Sequence, residues 1–197
     1  TFGLPVFVHP DANGEIAKLL ESLRSKPESD HFVGAYSLGK AQRIIRILRD
    51  LGHDDEILLH GSMETLCNYY QSRGVELGRL AKLIDAGARR KSGGAIIIGP
   101  PSAIGTTWVN RMADPVFAYA SGWMRIRQRA KRAGVELPLI VSDHCDWPEL
   151  QRSIIDSGAG EIWVTHGNED GLGRWCTMQG IAAKPLRLVG YTDEGDL

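Results

Sequence analysis

Two histidines in the last third of the chain, His144 and His166, have the residue type and the sequence position of a catalytic or metal-binding pair. Each follows an apolar, β-branched run at a point where a strand is expected to give way to a helix. Ligands bind at the carboxyl ends of strands in open α/β sheets, and imidazole serves as a proton carrier or a metal ligand. The spacing therefore predicts that both histidines serve one site. The alternative for either histidine alone is a capping or hydrogen-bonded residue without chemistry.

Strand and helix patterns alternate along almost the whole chain. Short β-branched runs predict strands at residues 31–36, 56–60, 95–98, 116–120, 137–142, 161–165 and 184–189. Apolar residues at helical spacing predict helices at residues 15–23, 41–51, 62–73, 106–112, 122–133, 147–156 and 169–179. Ser62 is expected to cap the third helix, and residues 74–92 to form a loop with one short helix. This alternation predicts an α/β fold with a largely parallel sheet flanked by helices.

Composition limits the classes of partner. Of the 197 residues, 43% are hydrophobic, and 23 basic residues against 24 acidic ones give a net charge of -1. Bulk charge therefore predicts no polyanion partner, and any nucleic-acid surface must be local. The three cysteines, Cys67, Cys145 and Cys176, are far apart and form no C-x-x-C motif, which indicates a reducing, cytoplasmic location. No apolar run has the length of a membrane span, and we expect the chain to be part of a longer protein.

One candidate phosphate site lies at residues 36–43, where Ser37, Lys40 and Arg43 surround a predicted strand-to-helix turn. Backbone amides at a helix start attract anions, and the two cations add to that attraction. The sequence lacks the Walker motif G-x-x-x-x-G-K-[ST], so it gives no support for binding of a nucleoside triphosphate. The alternative is an ordinary capped helix with solvated cations.

A second candidate is the dense basic stretch at residues 123–132. On a continuous helix, Arg125, Arg129 and Arg132 would share one face, while Arg127 and Lys131 would lie on another. In a neutral protein such a stretch is typical of a local contact with phosphates. The alternative is a solvated helix face without a partner.

Four segments, taken in chain order, resemble the metallo-β-lactamase-fold nucleases that carry a β-CASP insertion. Thr-Phe-Gly at residues 1–3 is similar to the end of motif A, and residues 33–42 are similar to the aromatic-x-Leu-Gly-[Arg/Lys]-Ala-Gln signature of the insertion. Ser-Asp-His-Cys-Asp at residues 142–146 matches motif B, and Thr-His-Gly at residues 165–167 matches motif C. Residues 122–127 and 142–147 are most similar to bacterial ligase-associated DNA exonucleases, which are also labelled mRNA 3′-end processing factors.

The resemblance implies a two-zinc enzyme, with manganese as the alternative metal, that hydrolyses phosphodiester bonds. His166 would ligate the second zinc ion. His144 would lie beside the scissile phosphate, where it would donate a proton or stabilise charge. The acidic motif A residue that orients His144 would come just before Thr1.

The His-x-His-x-Asp-His segment of this family is missing, and the other four histidines do not form it. One zinc ligand cannot hold two ions, so we expect the chain to be the C-terminal portion of the enzyme and to be inactive alone. The resemblance implies three parts. Residues 1–9 would end the N-terminal lactamase-fold portion, residues 10–134 would form the β-CASP domain, and residues 135–197 would return to the lactamase fold.

The function expected for the full-length protein is therefore zinc-dependent DNA hydrolysis, as a bacterial exonuclease in DNA repair. The alternatives are an RNase active in RNA processing at mRNA 3′ ends, a non-catalytic nucleic-acid-binding module and an unrelated α/β protein. Nucleic acid is the expected partner, with DNA favoured over RNA. The resemblance also implies association with an ATP-dependent DNA ligase and a helicase. The lack of a long apolar run predicts no membrane partner.

Overall fold

The structure is a computed structural model that describes residues 1–84, 93–132, 134–165 and 169–186. It divides the chain into two compact units. The larger unit is His9–Asp143, and the smaller unit combines Thr1–Val8 with His144–Leu197. No described helix is long and apolar enough to cross a membrane.

The larger unit is built on a six-stranded sheet with the order β3-β2-β4-β1-β5-β6. Its strands are β1 His31–Gly34, β2 Ile57–Leu59, β3 Leu80–Lys82, β4 Ile96–Gly99, β5 Val116–Ala120 and β6 Leu137–Leu139. Every neighbouring pair is parallel. Strands β1, β2 and β4 are buried along their whole length, as expected where both faces of a parallel sheet are covered. The prediction of an α/β fold with a largely parallel sheet is confirmed.

Three α-helices pack in one core with the side chains on one face of this sheet: α1 Ala12–Ser25, α2 Lys40–Asp50 and α3 Gly61–Ser72. Alternation along β1 divides its side chains between two clusters. Val33 lies in the core with these helices, whereas Phe32 lies in a second cluster together with Ile97. The second cluster also contains residues that adjoin two 3₁₀ helices, Pro101–Ala103 and Thr107–Arg111. The helix predicted at residues 106–112 is present as the 3₁₀ helix Thr107–Arg111.

The predicted helix at residues 122–133 is interrupted. A 3₁₀ helix, Gly122–Arg125, begins where the Ser121 hydroxyl accepts a hydrogen bond from the Trp123 amide at 3.3 Å. Ile126 then has non-helical dihedrals, and helix α4 runs from Arg127–Arg132. The expectation that Arg125 shares a helical face with Arg129 and Arg132 is therefore wrong, because Ile126 separates the two helices.

Two further expectations about this unit are wrong. Helix α3 begins after His60, whose Nδ1 accepts a hydrogen bond from the Ser62 amide at 3.2 Å, so His60 and not Ser62 provides the cap. Residues 80–82 form edge strand β3, which pairs with β2, instead of a loop. Three partly buried residues are too few to show a strand periodicity. Residues 74–79 form neither helix nor strand, in agreement with the predicted loop, and residues 85–92 lie outside the described part.

The smaller unit contains helix α5 Trp147–Ser157, strand β7 Glu161–Val164, helix α6 Glu169–Met178 and strand β8 Ala182–Pro185. The two strands are parallel. Helix α5 begins with a capping box in which Asp146 accepts from the Glu149 amide at 3.0 Å and the Glu149 carboxylate accepts from the Asp146 amide at 3.1 Å. A small core holds Ile154, Val164, Leu172 and Cys176.

One histidine of the larger unit is a structural residue. His31 is fully buried at the start of β1. Its Nδ1 donates to the Ser29 carbonyl at 3.1 Å, so Nε2 is the nitrogen that accepts from the Ser22 hydroxyl at 2.9 Å. Burial is the main cause that lowers the pKa of His31 below its ordinary value of 6.5. The folded protein therefore favours the neutral ring.

We expect the protein to lose stability in mild acid. In the unfolded chain the His31 ring takes up a proton near pH 6.5, whereas in the folded chain it does so only at lower pH. The contribution of His31 to the free energy of unfolding is therefore fully present above pH 6.5 and declines as the pH falls below it. Urea unfolding at pH 7.5 and pH 5.5 should differ by about 1 kcal/mol for this histidine. His31→Gln should reduce the difference, and an equal pH dependence in both proteins would contradict the assignment.

Candidate nucleic-acid interface

The carboxyl edge of the six-stranded sheet has a crevice position between β1 and β5. From β1 the chain proceeds to β2 on one side of the sheet, and from β5 it proceeds to β6 on the other side. Loops that leave neighbouring strands in opposite directions open a crevice, and ligands of α/β sheets bind there. The loops that follow β1 and β5 are therefore the expected position of a ligand-binding site.

The turn after β1 is shaped by Gly39 and Gln42. Gly39 has a φ of 80°, a conformation that favours glycine, and its amide donates to Gln42 Oε1 at 2.8 Å. The side-chain Nε2 of Gln42 in turn donates to the backbone carbonyl of Ser37 at 3.0 Å. These contacts explain the Leu-Gly-Lys-Ala-Gln pattern physically: glycine permits the turn and glutamine closes it. Helix α2 starts directly afterwards at Lys40.

Lys40 is a buried cation in this crevice. Its side chain is 3% exposed, and its Nζ donates to the Ala120 carbonyl at 3.3 Å and lies 3.7 Å from Asp143 Oδ2. The Tyr36 ring centroid is 4.9 Å from the same nitrogen. Burial lowers the pKa of Lys40, while Asp143 acts in the opposite direction with a smaller effect. Lys40 thus connects the turn after β1 with the end of β5.

Arg43 lies one helical turn after Lys40 and is about half exposed. Its Nη1 donates to the Ser142 carbonyl at 2.8 Å and lies 4.0 Å from Asp143 Oδ1. The structure therefore brings the predicted residues Ser37, Lys40 and Arg43 to one edge of the sheet. It also shows that residues 142–143 already contact both cations.

Tyr119 and Ser121, which the sequence analysis did not select, belong to the same crevice. Burial raises the pKa of Tyr119, and the neighbouring Tyr36 acts in the same direction, whereas Ser121 opposes it. Tyr119 is paired in register with Gly34, where an added Cβ would lie 3.3 Å from Pro101 Cα. A polar residue that ends a central strand was the available signal for this cluster.

The second candidate is a run of five exposed cations after β5, which we call the basic surface: Arg125, Arg127, Arg129, Lys131 and Arg132. On α4, Arg127 and Lys131 share one face, and Arg129 and Arg132 lie on another. No acidic residue lies between Asp114 and Glu136 in the sequence. Within the described ranges, none of the five forms an ion pair. The Arg129 guanidinium lies over the Trp123 ring, 3.9 Å from its centroid. This surface carries positive charge that no described carboxylate neutralises.

In the smaller unit, the structure brings two predicted motif segments together. The His144 ring is exposed and meets the buried Phe2 ring edge-on, with their centroids 6.2 Å apart. Phe2 packs on Phe7, and the Phe7 carbonyl accepts from the Trp147 amide at 2.9 Å. The segment at residues 1–7 thus supports the loop that carries His144. The predicted zinc ligand His166 lies outside the described residues.

The described residues do not provide a complete metal site. Among them, no group of three or more histidine, cysteine, aspartate or glutamate side chains is placed to hold a metal ion. Binding of two zinc ions requires more ligands than this part of the chain brings together.

Comparison with known proteins shows a distant relationship to a curated protein. No family model matches the chain. A protein from Opitutus terrae that is named a probable DNA ligase is 24% identical over 170 residues. The matched region covers 85% of this chain but 16% of that protein. The chain therefore spans about a sixth of the length of this relative.

Proposed function

We propose that this chain binds the backbone of a nucleic acid through the basic surface, as part of a DNA-processing enzyme. The observation that carries the proposal is the cluster of five exposed cations, none of which forms an ion pair with a described residue. A cation without a carboxylate partner contacts a phosphate without first breaking an ion pair, and it releases a counterion from the nucleic acid. The run of cations also begins soon after the carboxyl end of β5, one of the two strands that border the crevice.

Two considerations favour DNA. The relative is named a probable DNA ligase, and the motifs resemble those of bacterial ligase-associated DNA exonucleases. The matched region is 16% of the relative, so the name DNA ligase describes a much longer protein than the part that this chain resembles. We propose that the chain serves DNA repair together with an ATP-dependent ligase and a helicase.

We further propose that the full-length protein is a zinc-dependent phosphodiesterase with a β-CASP insertion, as the motif resemblance implies. The exposed His144 ring and its support by residues 1–7 are consistent with a group beside the scissile phosphate. Phosphodiester hydrolysis would need the two zinc ions to be held largely by residues beyond those described.

The second sheet supports the proposal that the smaller unit is completed by more protein. Strands β7 and β8 have four residues each and are mostly exposed, and the Trp163 side chain is 55% exposed. Parallel sheets are normally covered on both faces, and two strands alone are marginally stable in water. We propose that the N-terminal lactamase-fold portion supplies the additional strands and helices.

Metal content and substrate preference test the enzymatic part. We expect the full-length protein to bind about two zinc ions, and His166→Ala to lower this number to about one. The unchanged protein should hydrolyse a DNA strand faster than an RNA strand of matched sequence. His53→Ala is the control, because His53 lies in the larger unit and should leave the zinc content unchanged.

A second candidate function is non-catalytic nucleic-acid binding, favoured by the lack of a three-ligand group among the described residues. Full-length protein that binds DNA but holds neither zinc nor manganese would establish this alternative and overturn the hydrolytic one. Faster turnover of RNA would overturn the DNA assignment and favour mRNA 3′-end processing.

A further inference from the structure

Lys40 and Arg43 differ from the basic surface in what surrounds them. The Lys40 ammonium is buried and has both a carbonyl and a carboxylate nearby, from Ala120 and Asp143. The Arg43 guanidinium donates to the Ser142 carbonyl, 99 positions away in the sequence. All these partners lie within the larger unit. The two cations therefore join the start of α2 to residues 142–143.

This environment is unsuitable for phosphate contact. A phosphate approaching Lys40 would have to displace Asp143 and reach an ammonium group whose side chain is only 3% exposed. Displacing Asp143, whose side chain is 36% exposed, would leave the buried Lys40 ammonium without its carboxylate, which is costly. An exposed cation of the basic surface has no such cost. The same reasoning that selects the basic surface therefore excludes Lys40 as a backbone contact.

The contacts define a fixed point in the chain. Asp143 lies directly before His144 in the sequence, and both of its carboxylate oxygens are within 4.0 Å of a cation from α2. The Ser142 carbonyl accepts a hydrogen bond from the charged Arg43 guanidinium, and such charge-assisted bonds are stronger than those between neutral groups. A segment held at two successive residues has little freedom, so the backbone from which His144 continues has a defined position.

We infer that Lys40 and Arg43 are positioning residues that anchor the segment before His144, and that they are not phosphate contacts. The Leu-Gly-Lys-Ala-Gln-Arg pattern is then explained by structure: Gly39 and Gln42 form the turn, and Lys40 and Arg43 contact residues 142–143 from it. The inference does not depend on the proposed function, because the anchor exists whether or not the protein binds nucleic acid.

Hydrogen exchange of the full-length protein tests the anchor. In Arg43→Gln, and in the double variant Lys40→Met with Arg43→Gln, amides at residues 140–146 should exchange at least tenfold faster than in the unchanged protein. Amides in β1, β4 and β5 should keep their protection. Arg43→Lys retains the cation and should restore slow exchange, which a general loss of packing would not do. Arg127→Gln is the matched control and should not change exchange at residues 140–146.

A binding measurement separates an anchor from a phosphate contact. Arg43→Gln should leave the salt dependence of binding to a single-stranded DNA oligonucleotide unchanged, whereas Arg127→Gln should reduce its log–log slope by about 0.7. Unchanged exchange in the Arg43→Gln variant, or a reduced salt slope in that variant, would overturn the inference. If the unchanged protein does not bind DNA, the proposed function is overturned. The anchoring role of Lys40 and Arg43 is then tested by the hydrogen-exchange measurement alone.

Discussion

Replacing Arg49 with methionine is expected to lower the free energy of unfolding by about 3 kcal/mol. The Arg49 guanidinium donates to four backbone carbonyls. Two of these carbonyls, of Leu77 and Arg79, come just before β3 and lie 2.9 and 3.0 Å from the guanidinium nitrogens. The other two, of His53 and Asp55, come just before β2 and lie 2.5 and 2.7 Å away. Methionine keeps much of the apolar stem but leaves these carbonyls without their shared donor.

Arg46→Met is the matched control for Arg49→Met. It removes an arginine from the same helix, but Arg46 is exposed and makes surface ion pairs with Asp50 and Glu76. Exposed pairs contribute little, so the control should cost less than about 1 kcal/mol. Urea unfolding followed by circular dichroism measures both changes. Equal losses in the two variants would show that the carbonyl contacts of Arg49 are not important for stability.

Replacing all five cations of the basic surface with glutamine is expected to weaken binding to single-stranded DNA about a thousandfold near 0.1 M salt. Each backbone contact to a single strand adds about 0.7 to the log–log salt slope, and five such losses give this factor. Glutamine is polar and has a helix propensity close to that of arginine and lysine, so the fold should be retained. Fluorescence anisotropy with a labelled oligonucleotide gives the dissociation constants.

A pair of variants with the same number of lost charges controls for general electrostatics. Arg127→Gln with Arg132→Gln removes two cations from the basic surface, while Arg24→Gln with Arg73→Gln removes two exposed cations from other elements. The first pair should weaken binding by more than tenfold, and the second pair should change it little. Equal effects would mean that net charge, and not this surface, determines the affinity.

The main elements of the fold were predictable from local patterns. Helix α2 repeats apolar residues such as Ile44, Ile45 and Leu48 at helical spacing, and strand β4 is a continuous apolar run. Such patterns report burial directly, and these elements form where they were expected. The interruption at Ile126 was not visible, because the Ser121 cap that starts the preceding 3₁₀ helix leaves no periodic signal.

The candidate site was predictable in position but not in detail. The sequence places Lys40 and Arg43 at the end of a strand, and the structure puts them at the crevice edge of the sheet. Their contacts with Ser142 and Asp143 depend on packing between elements about 100 positions apart, which spacing cannot reveal. Local patterns therefore identify cations but do not distinguish free ones from those with an internal partner.

The most direct test of the central claim is the salt dependence of binding between this protein and a single-stranded DNA oligonucleotide. If the five cations of the basic surface each contact one phosphate, the logarithm of the association constant should fall with the logarithm of salt concentration with a slope of about -3.5. Absence of binding at low salt, or a slope near zero, would contradict the claim that this surface holds a nucleic-acid backbone.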